Sequence, residues 1–249
     1  MRFENRVAIV TGSGQGIGES YAKALAAEGA RVVIADLNLD GAERVAKEIE
    51  SDGGTAAAVK VDVSNPDSAD AMAAAAVDAF GGIDCLVNNA AIYAGMKIEP
   101  LMSVDVGYYE RFMAVNMNGA LYCTRACYQS MIERGGGSVV NQSSVAAWQP
   151  GGYYSISKAA INSLTVNLAA ELGPQGVRVN AIAPGFIDTE ATLEVTPPKL
   201  LDAMVRRTPL QRIGHTSDLT GMVLFLLSDE ASFLTGQIIA VDGGSIVRL

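Results

Sequence analysis

The chain has 249 residues, 49% of them apolar, and a formal net charge of -9 with only 18 Lys and Arg. That composition fills one large core, so one domain over residues 1–249 is expected, and without a Lys/Arg run a phosphate-tracking surface for nucleic acid is excluded. No apolar stretch reaches the ~20 residues of a spanning helix, and Met1 leads into a charged turn rather than a signal segment, so the sequence predicts no membrane partner and a cytoplasmic location.

Strand-like apolar runs alternate with helical patterns along the chain. The first strand is expected at Arg6 to Val10 and the helix after it at Ile17 to Glu28, stopped by Gly29. A second strand at Arg31 to Ala35, a helix at Gly41 to Glu50 and a third strand at Thr55 to Val61 follow. Pro66 opens a helix through Phe80, Ile83 to Val87 is strand four, one long helix covers Val104 to Glu133, and Ser138 to Asn141 is strand five. A helix containing Tyr154 and Lys158 runs to Leu172, where Gly173-Pro174 ends it, and strand six is Val177 to Ile182. Residues 184–212 read as a substrate flap with a short helix inside; a helix from Ser217 to Leu227 and strand seven at Gln237 to Val241 complete the chain. The alternation predicts an α/β fold, a doubly wound parallel sheet of about seven strands with helices on both faces.

Three cysteines, Cys85, Cys123 and Cys127, lack metal-ligand spacing and read as core residues, so no metal is expected. His215 is the one histidine, too little for a Ser/His/Asp triad or a His-based metal site. Asn141-Gln142-Ser143 matches a glycosylation acceptor but lies within a strand, where it is accidental.

The turn after the first strand reads Gly12-Ser13-Gly14-Gln15-Gly16-Ile17-Gly18. Glycines there let the backbone approach a pyrophosphate, whose charge meets the free N–H groups and positive end of the following helix. Asp36 closes the second strand, where a carboxylate accepts from the adenosine ribose hydroxyls and repels a 2'-phosphate. No Arg or Lys stands at 12–18 or 37–40, so NAD is predicted over NADP. Further on, Tyr154 and Lys158 are four apart on one helix, one turn from each other on one face. A cation there favours phenolate and draws the phenol toward acid/base work.

With Gly12, Gly16 and Gly18, Asn88-Asn89-Ala90, Asn116, Ser144, Tyr154-x-x-x-Lys158, Pro184-Gly185 and Val241-Asp242-Gly243-Gly244 in order, the chain resembles the short-chain dehydrogenase/reductase family over almost its whole length. The resemblance implies a single Rossmann-type domain and catalytic residues Asn116, Ser144, Tyr154 and Lys158. Tyr154 would be the general acid/base, Lys158 would lower its pKa and hold the nicotinamide ribose, Ser144 would hydrogen-bond the substrate oxygen, and Asn116 would hold a relay water. The implied cofactor set is Gly12, Ser13, Gln15, Gly16, Ile17, Gly18, Asp36, Leu37, Asp62, Val63, Asn89, Tyr154, Lys158, Ile187 and Thr189. A homotetramer is likewise implied, in keeping with long helices apolar on more than one face.

Two departures from the family pattern stand out: Ala91 where a glycine is usual, and a short link from Ser144 to Tyr154 that carries Trp148, Pro150, Gly151 and Gly152. The expected activity is NAD-dependent interconversion of a secondary alcohol and its ketone, with oxidation the favoured direction. Ile92, Tyr93, Trp148 and Phe186 suggest a largely apolar substrate, while Arg206, Arg207 and Arg212 near the flap leave an acid or a carrier open. The alternatives are a 3-oxoacyl thioester reductase and a catalytically silent NAD-binding regulator.

Overall fold

The computed structural model describes residues 1–246. Seven strands form one parallel sheet: β1 (Val7–Thr11), β2 (Arg31–Asp36), β3 (Thr55–Lys60), β4 (Cys85–Asn88), β5 (Gly137–Gln142), β6 (Val177–Pro184) and β7 (Ile238–Val241). Their order is β3-β2-β1-β4-β5-β6-β7. Parallel neighbours need crossovers, and these are the helices α1 (Gly16–Ala27), α2 (Leu39–Ser51), α3 (Pro66–Phe80), α4 (Val106–Met113), α5 (Gly119–Glu133), α6 (Gly152–Leu172), α7 (Glu190–Val195), α8 (Pro198–Arg207) and α9 (Thr216–Leu227). This is the doubly wound, Rossmann-type arrangement. β1 pairs with β2 on one side and β4 on the other, so the strand order reverses there and leaves a crevice beyond the carboxyl ends of the two strands.

The central strands β1 and β4 are buried at every position because both faces are covered. Ala8, Val10, Val32 and Ile34 face a core built with Tyr21 and Leu25 of α1, Val45 and Ile49 of α2, and Leu219 and Val223 of α9. Ile9, Val33 and Ala35 face the other way, toward Met72 of α3, Met131 of α5 and Leu168 of α6. Side chains alternate along a strand, so one run of sequence fills two cores. All three cysteines are buried, Cys85 in the first core and Cys123 and Cys127 in the second, and burial pushes the Cys85 and Cys123 thiols up to about 12. Asn141 is fully buried in β5, where no glycan could attach.

Two elements differ from the sequence reading. The helix expected from Val104 to Glu133 is α4 and α5 joined by a π turn, Ala114–Asn118. The extra residue turns Asn116 inward, and π turns of this kind commonly mark functional positions. The flap holds two helices, α7 and α8, not one. Its ends meet in a bridge where Gly214 N donates to Phe186 O (2.9 Å) and Asp188 N to Gly214 O (2.7 Å). No helix among the described residues is long and apolar enough to cross a membrane.

Candidate active site

The site is built from the turns at the carboxyl ends of β1, β2, β4 and β5. Asn89 laces two of them together, its Nδ2 donating to Thr11 O and Gly12 O, both at 2.9 Å. Thr11 Oγ1 returns the tie by accepting from Asn89 N and Ala90 N, each at 3.1 Å. Gly12 has φ +64° and its missing Cβ would lie 2.8 Å from Ala90 Cα, so a side chain is doubly excluded. Gln15 is the extended N-cap of α1 and offers no side-chain cap, which leaves the first N–H groups of that helix facing the crevice. Gly16 has nothing within 4 Å of where a Cβ would stand. An uncapped positive helix end beside open backbone is what a pyrophosphate needs, so these residues fit the dinucleotide the turn predicts.

Ser13 is fully buried, and its hydroxyl donates to Val10 O (2.6 Å) and accepts from Ala35 N (3.1 Å). That side chain fastens β1 to β2 instead of facing the crevice. Asp36 is held by two backbone donors, Gly14 N on Oδ2 (2.8 Å) and Asn38 N on Oδ1 (2.9 Å), and Leu37 beside it is exposed. Across the crevice rim, Asp62 Oδ1 accepts from Ser64 N (3.0 Å) and Ser64 Oγ (2.6 Å). Val63 is buried against Gly119, where a Cβ would come within 2.8 Å of it.

Two cations near Asp36 escaped the sequence reading because neither is close to it in sequence. Lys60 stands beside it in register on β3. Arg44 of α2 donates from Nη2 to Gly14 O (3.0 Å), while Glu19 (2.6 Å) and Glu48 (2.7 Å) hold its guanidinium. Lys23 closes the ring, 2.6 Å from each of the same two carboxylates.

The tyrosine and lysine expected to carry acid/base work both lie on α6. Tyr154 is half-buried, its hydroxyl within hydrogen-bonding reach of Ser144, whose Oγ also accepts from Ala146 N (3.1 Å). Lys158, one turn on, is 3% exposed; its Nζ stands 5.8 Å from the Tyr154 ring centroid and donates to Gln142 O (2.8 Å). Gln142 is a further residue the sequence reading missed: its side chain accepts from Tyr21 OH (3.0 Å), so α1 helps fix the carbonyl that holds the lysine.

The four-residue spacing predicts a lowered phenol pKa, and here the structure differs. Burial raises the Tyr154 phenol well above its ordinary value, with Ser144 pulling the other way and Tyr93 adding to the rise. The same burial pushes the Lys158 ammonium down to about 8. Desolvation disfavours both charged forms, and it outweighs their mutual attraction.

Asn116 clasps the backbone of Ile92, accepting from its N–H (2.8 Å) and donating to its carbonyl (3.1 Å). With Thr11, Asn88, Gln142 and Lys158 it lines a narrow polar cleft. The Oδ1 of Asn88 is buried there without a partner, which gives the cleft a hydrogen-bond acceptor for a water. Ile187 is buried, its side chain in the first core, so only its backbone can face a cofactor. Thr189 caps α7, its Oγ1 accepting from Thr192 N (3.2 Å).

On the substrate side, Ile92, Tyr93, Trp148 and Phe186 are all half-buried. Ala91 is exposed and absent from the positive-φ residues, so its methyl group is accommodated without strain. Arg212 is committed to Asp218 (2.6 and 2.8 Å), while Arg206 and Arg207 at the end of α8 are exposed.

A family model described as enoyl-(acyl carrier protein) reductase matches residues 12–245. An uncharacterised oxidoreductase of Mycobacterium tuberculosis (strain ATCC 25618 / H37Rv) is 60% identical over 246 residues, 99% of each chain. L-rhamnose 1-dehydrogenase (NAD(P)(+)) of Azotobacter vinelandii is 39% identical over 258 residues, all of each chain. Among solved structures, a 7α-hydroxysteroid dehydrogenase complexed with NADH and 7-oxo glycochenodeoxycholic acid superposes with a TM-score of 0.94 at 35% identity, covering 100% of this chain and 97% of that one.

Proposed function

The chain belongs to the short-chain dehydrogenase/reductase family, and on that premise we propose that it is an NAD-dependent oxidoreductase interconverting a largely apolar secondary alcohol and its ketone. The observation that carries this reading is the Tyr154 phenol within reach of the Ser144 hydroxyl and one helical turn from Lys158.

A nicotinamide cofactor, when bound, supplies the carbon that accepts or returns hydride. The uncapped start of α1 would hold its pyrophosphate, Asp36 its adenosine ribose, and Lys158 its nicotinamide ribose. Ser144 donates to the substrate oxygen and stabilises charge there. Tyr154 takes the hydroxyl proton in oxidation and returns it in reduction. Burial keeps the phenol protonated at neutral pH, so it is ready as an acid toward a ketone. As a base it must first pass its own proton on, and the amino group of Lys158, titrating at about 8, adjoins the polar cleft that would carry it.

NAD is favoured because a carboxylate at the end of β2 would repel a 2'-phosphate and Arg44 is already paired with Glu19 and Glu48, while Lys60, in register beside Asp36, is the cation that weighs the other way. Equal or better efficiency with NADP would sink that part, and Asp36→Ala should narrow the gap. The screen that tests the activity follows absorbance of the reduced cofactor with cyclohexanol, 2-octanol, L-rhamnose and a 7α-hydroxysteroid. Acetoacetyl-CoA with NADPH covers the thioester reductase alternative. Tyr154→Phe should lose roughly 10²–10⁴ in kcat while NADH still binds. Full turnover in that variant would remove Tyr154 from the chemistry. Tetrameric assembly and a cytoplasmic location belong to the same reading.

A further inference from the structure

The segment that follows β4 carries a second phenol at the site. The ring of Tyr93 stands 5.6 Å from that of Tyr154, tilted by 51°, within the range where aromatic pairs attract. Its hydroxyl stands beside the side chains of Thr192 and Thr196. Thr192 is within α7 and Thr196 is its C-cap, and both are buried. The backbone just before Tyr93 has little freedom, because Asn116 holds both polar groups of Ile92 at 2.8 and 3.1 Å. One side chain on an anchored backbone therefore touches the reacting phenol with its ring and the flap with its tip.

We propose that Tyr93 is a positioning residue for the alcohol–ketone reaction: its hydroxyl latches α7 over the site, and its ring holds the Tyr154 ring where Ser144 meets it. This rests on the reading of Tyr154 as the acid/base. The two roles separate chemically. Phenylalanine at 93 keeps the ring contact and loses the latch; leucine loses both. The latch forms only when α7 is down, so it favours the closed flap and with it the retention of substrate. Among the described residues, the titratable groups placed against the Tyr154 phenol are Tyr93 and, one turn along α6, Lys158. Removing the Tyr93 ring both admits water and removes a neighbour that raises the phenol.

The test uses the full chain with NAD and two substitutions that break the latch, Tyr93→Phe and Thr196→Val. Lys199, Arg206 and Arg207 on α8 are exposed, so trypsin reads how often the flap opens. Cleavage at these sites should quicken roughly three- to tenfold in both variants, as loss of one neutral hydrogen bond implies. For whichever alcohol of the screen is turned over fastest, KM should rise by about the same factor while kcat and the KM for NAD stay within about twofold. In Tyr93→Leu, kcat should fall as well, and the pH midpoint of oxidation should move down. Tyr93→Phe cleaved at the wild-type rate with an unchanged KM overturns the latch. So does a lowered Tm with cleavage spread along the chain, the sign of a merely structural role. A Tyr154→Phe variant that keeps its turnover sinks the acid/base reading instead, so the two failures are distinct.

Discussion

Gly18 and Gly16 are two residues apart in one turn, yet they tolerate a methyl group very differently. A Cβ at Gly18 would run into the Gly12 carbonyl oxygen and the Asn89 side chain, and nothing flexible there can yield. Gly16 has open space and only its φ of +61° against it. Gly18→Ala should therefore cost about 2–4 kcal/mol in urea unfolding and Gly16→Ala about 1 kcal/mol, while both weaken NAD binding. Lys158 makes a prediction of another kind. It is 3% exposed, and burial moves its pKa from 10.5 to about 8. Below about 8 both folded and unfolded chains hold the proton, and the full cost of burying the charge is present. Between there and 10.5 the unfolded chain binds a proton that the folded chain has released, so stability rises with pH through that window. The gain is on the order of 3 kcal/mol. Urea titrations at pH 7 and 10 should show it in the wild type and not in Lys158→Met; the same change in unfolding free energy between the two pH values in both proteins would mean that the amino group is solvated.

At the scale of elements, the α1–α2 pair shows where sequence reasoning stops. Glu19 and Lys23 on α1, and Arg44 and Glu48 on α2, are each four apart and legible as helical ion pairs. That the two pairs face each other and close a ring over Gly14 depends on how the helices pack, which no local pattern records. Exposed ion pairs contribute little one by one, but Arg44 also holds the Gly14 carbonyl, and Gly14 N holds Asp36. Arg44→Gln should raise the KM for NAD roughly three- to tenfold, the effect of about one hydrogen bond, with kcat within about twofold. An unchanged KM would show that Asp36 stays in place without the ring. The strands, by contrast, could be read to within a residue or two, because each of β1, β2, β4 and β5 has a short apolar stretch at its centre and polar or glycine residues close by. The break between α4 and α5 was hidden: a π turn adds one residue without a proline, the glycine after it, Gly119, opens α5 without ending the helical pattern, and Asn116 looks like any polar residue in a helix. The motif positions, glycines, Asn89, Ser144 and Tyr154 among them, could be named because residue type and order are visible in the sequence itself. The direction of the Tyr154 shift was not, because burial comes from the whole fold.

For the molecule as a whole, two surfaces bear on how copies of the chain could assemble. The outward face of α6 presents Ile156, Ala159, Ser163, Val166, Asn167 and Ala170, all exposed and none charged, on a chain whose net charge is -9. Opposite faces of exposed helices normally carry charge, so a bare one is suited to another helix. The second surface is the far edge of β7, which has no strand beyond it among the described residues and is half-exposed along its length, with Phe233 fully exposed in the segment before it. Unpaired strand edges invite pairing unless something covers them. If each patch pairs with its own copy about a twofold axis and the two axes are perpendicular, four subunits close into the tetramer proposed above. The consequence is asymmetric and can be measured. Val166→Asp puts a charge in the middle of the α6 face and leaves β7 untouched, so light scattering should find the wild type as tetramers and the variant as dimers. A variant that stays tetrameric would place the contact elsewhere, and a variant that falls to monomers would mean that the β7 edge alone cannot hold two subunits.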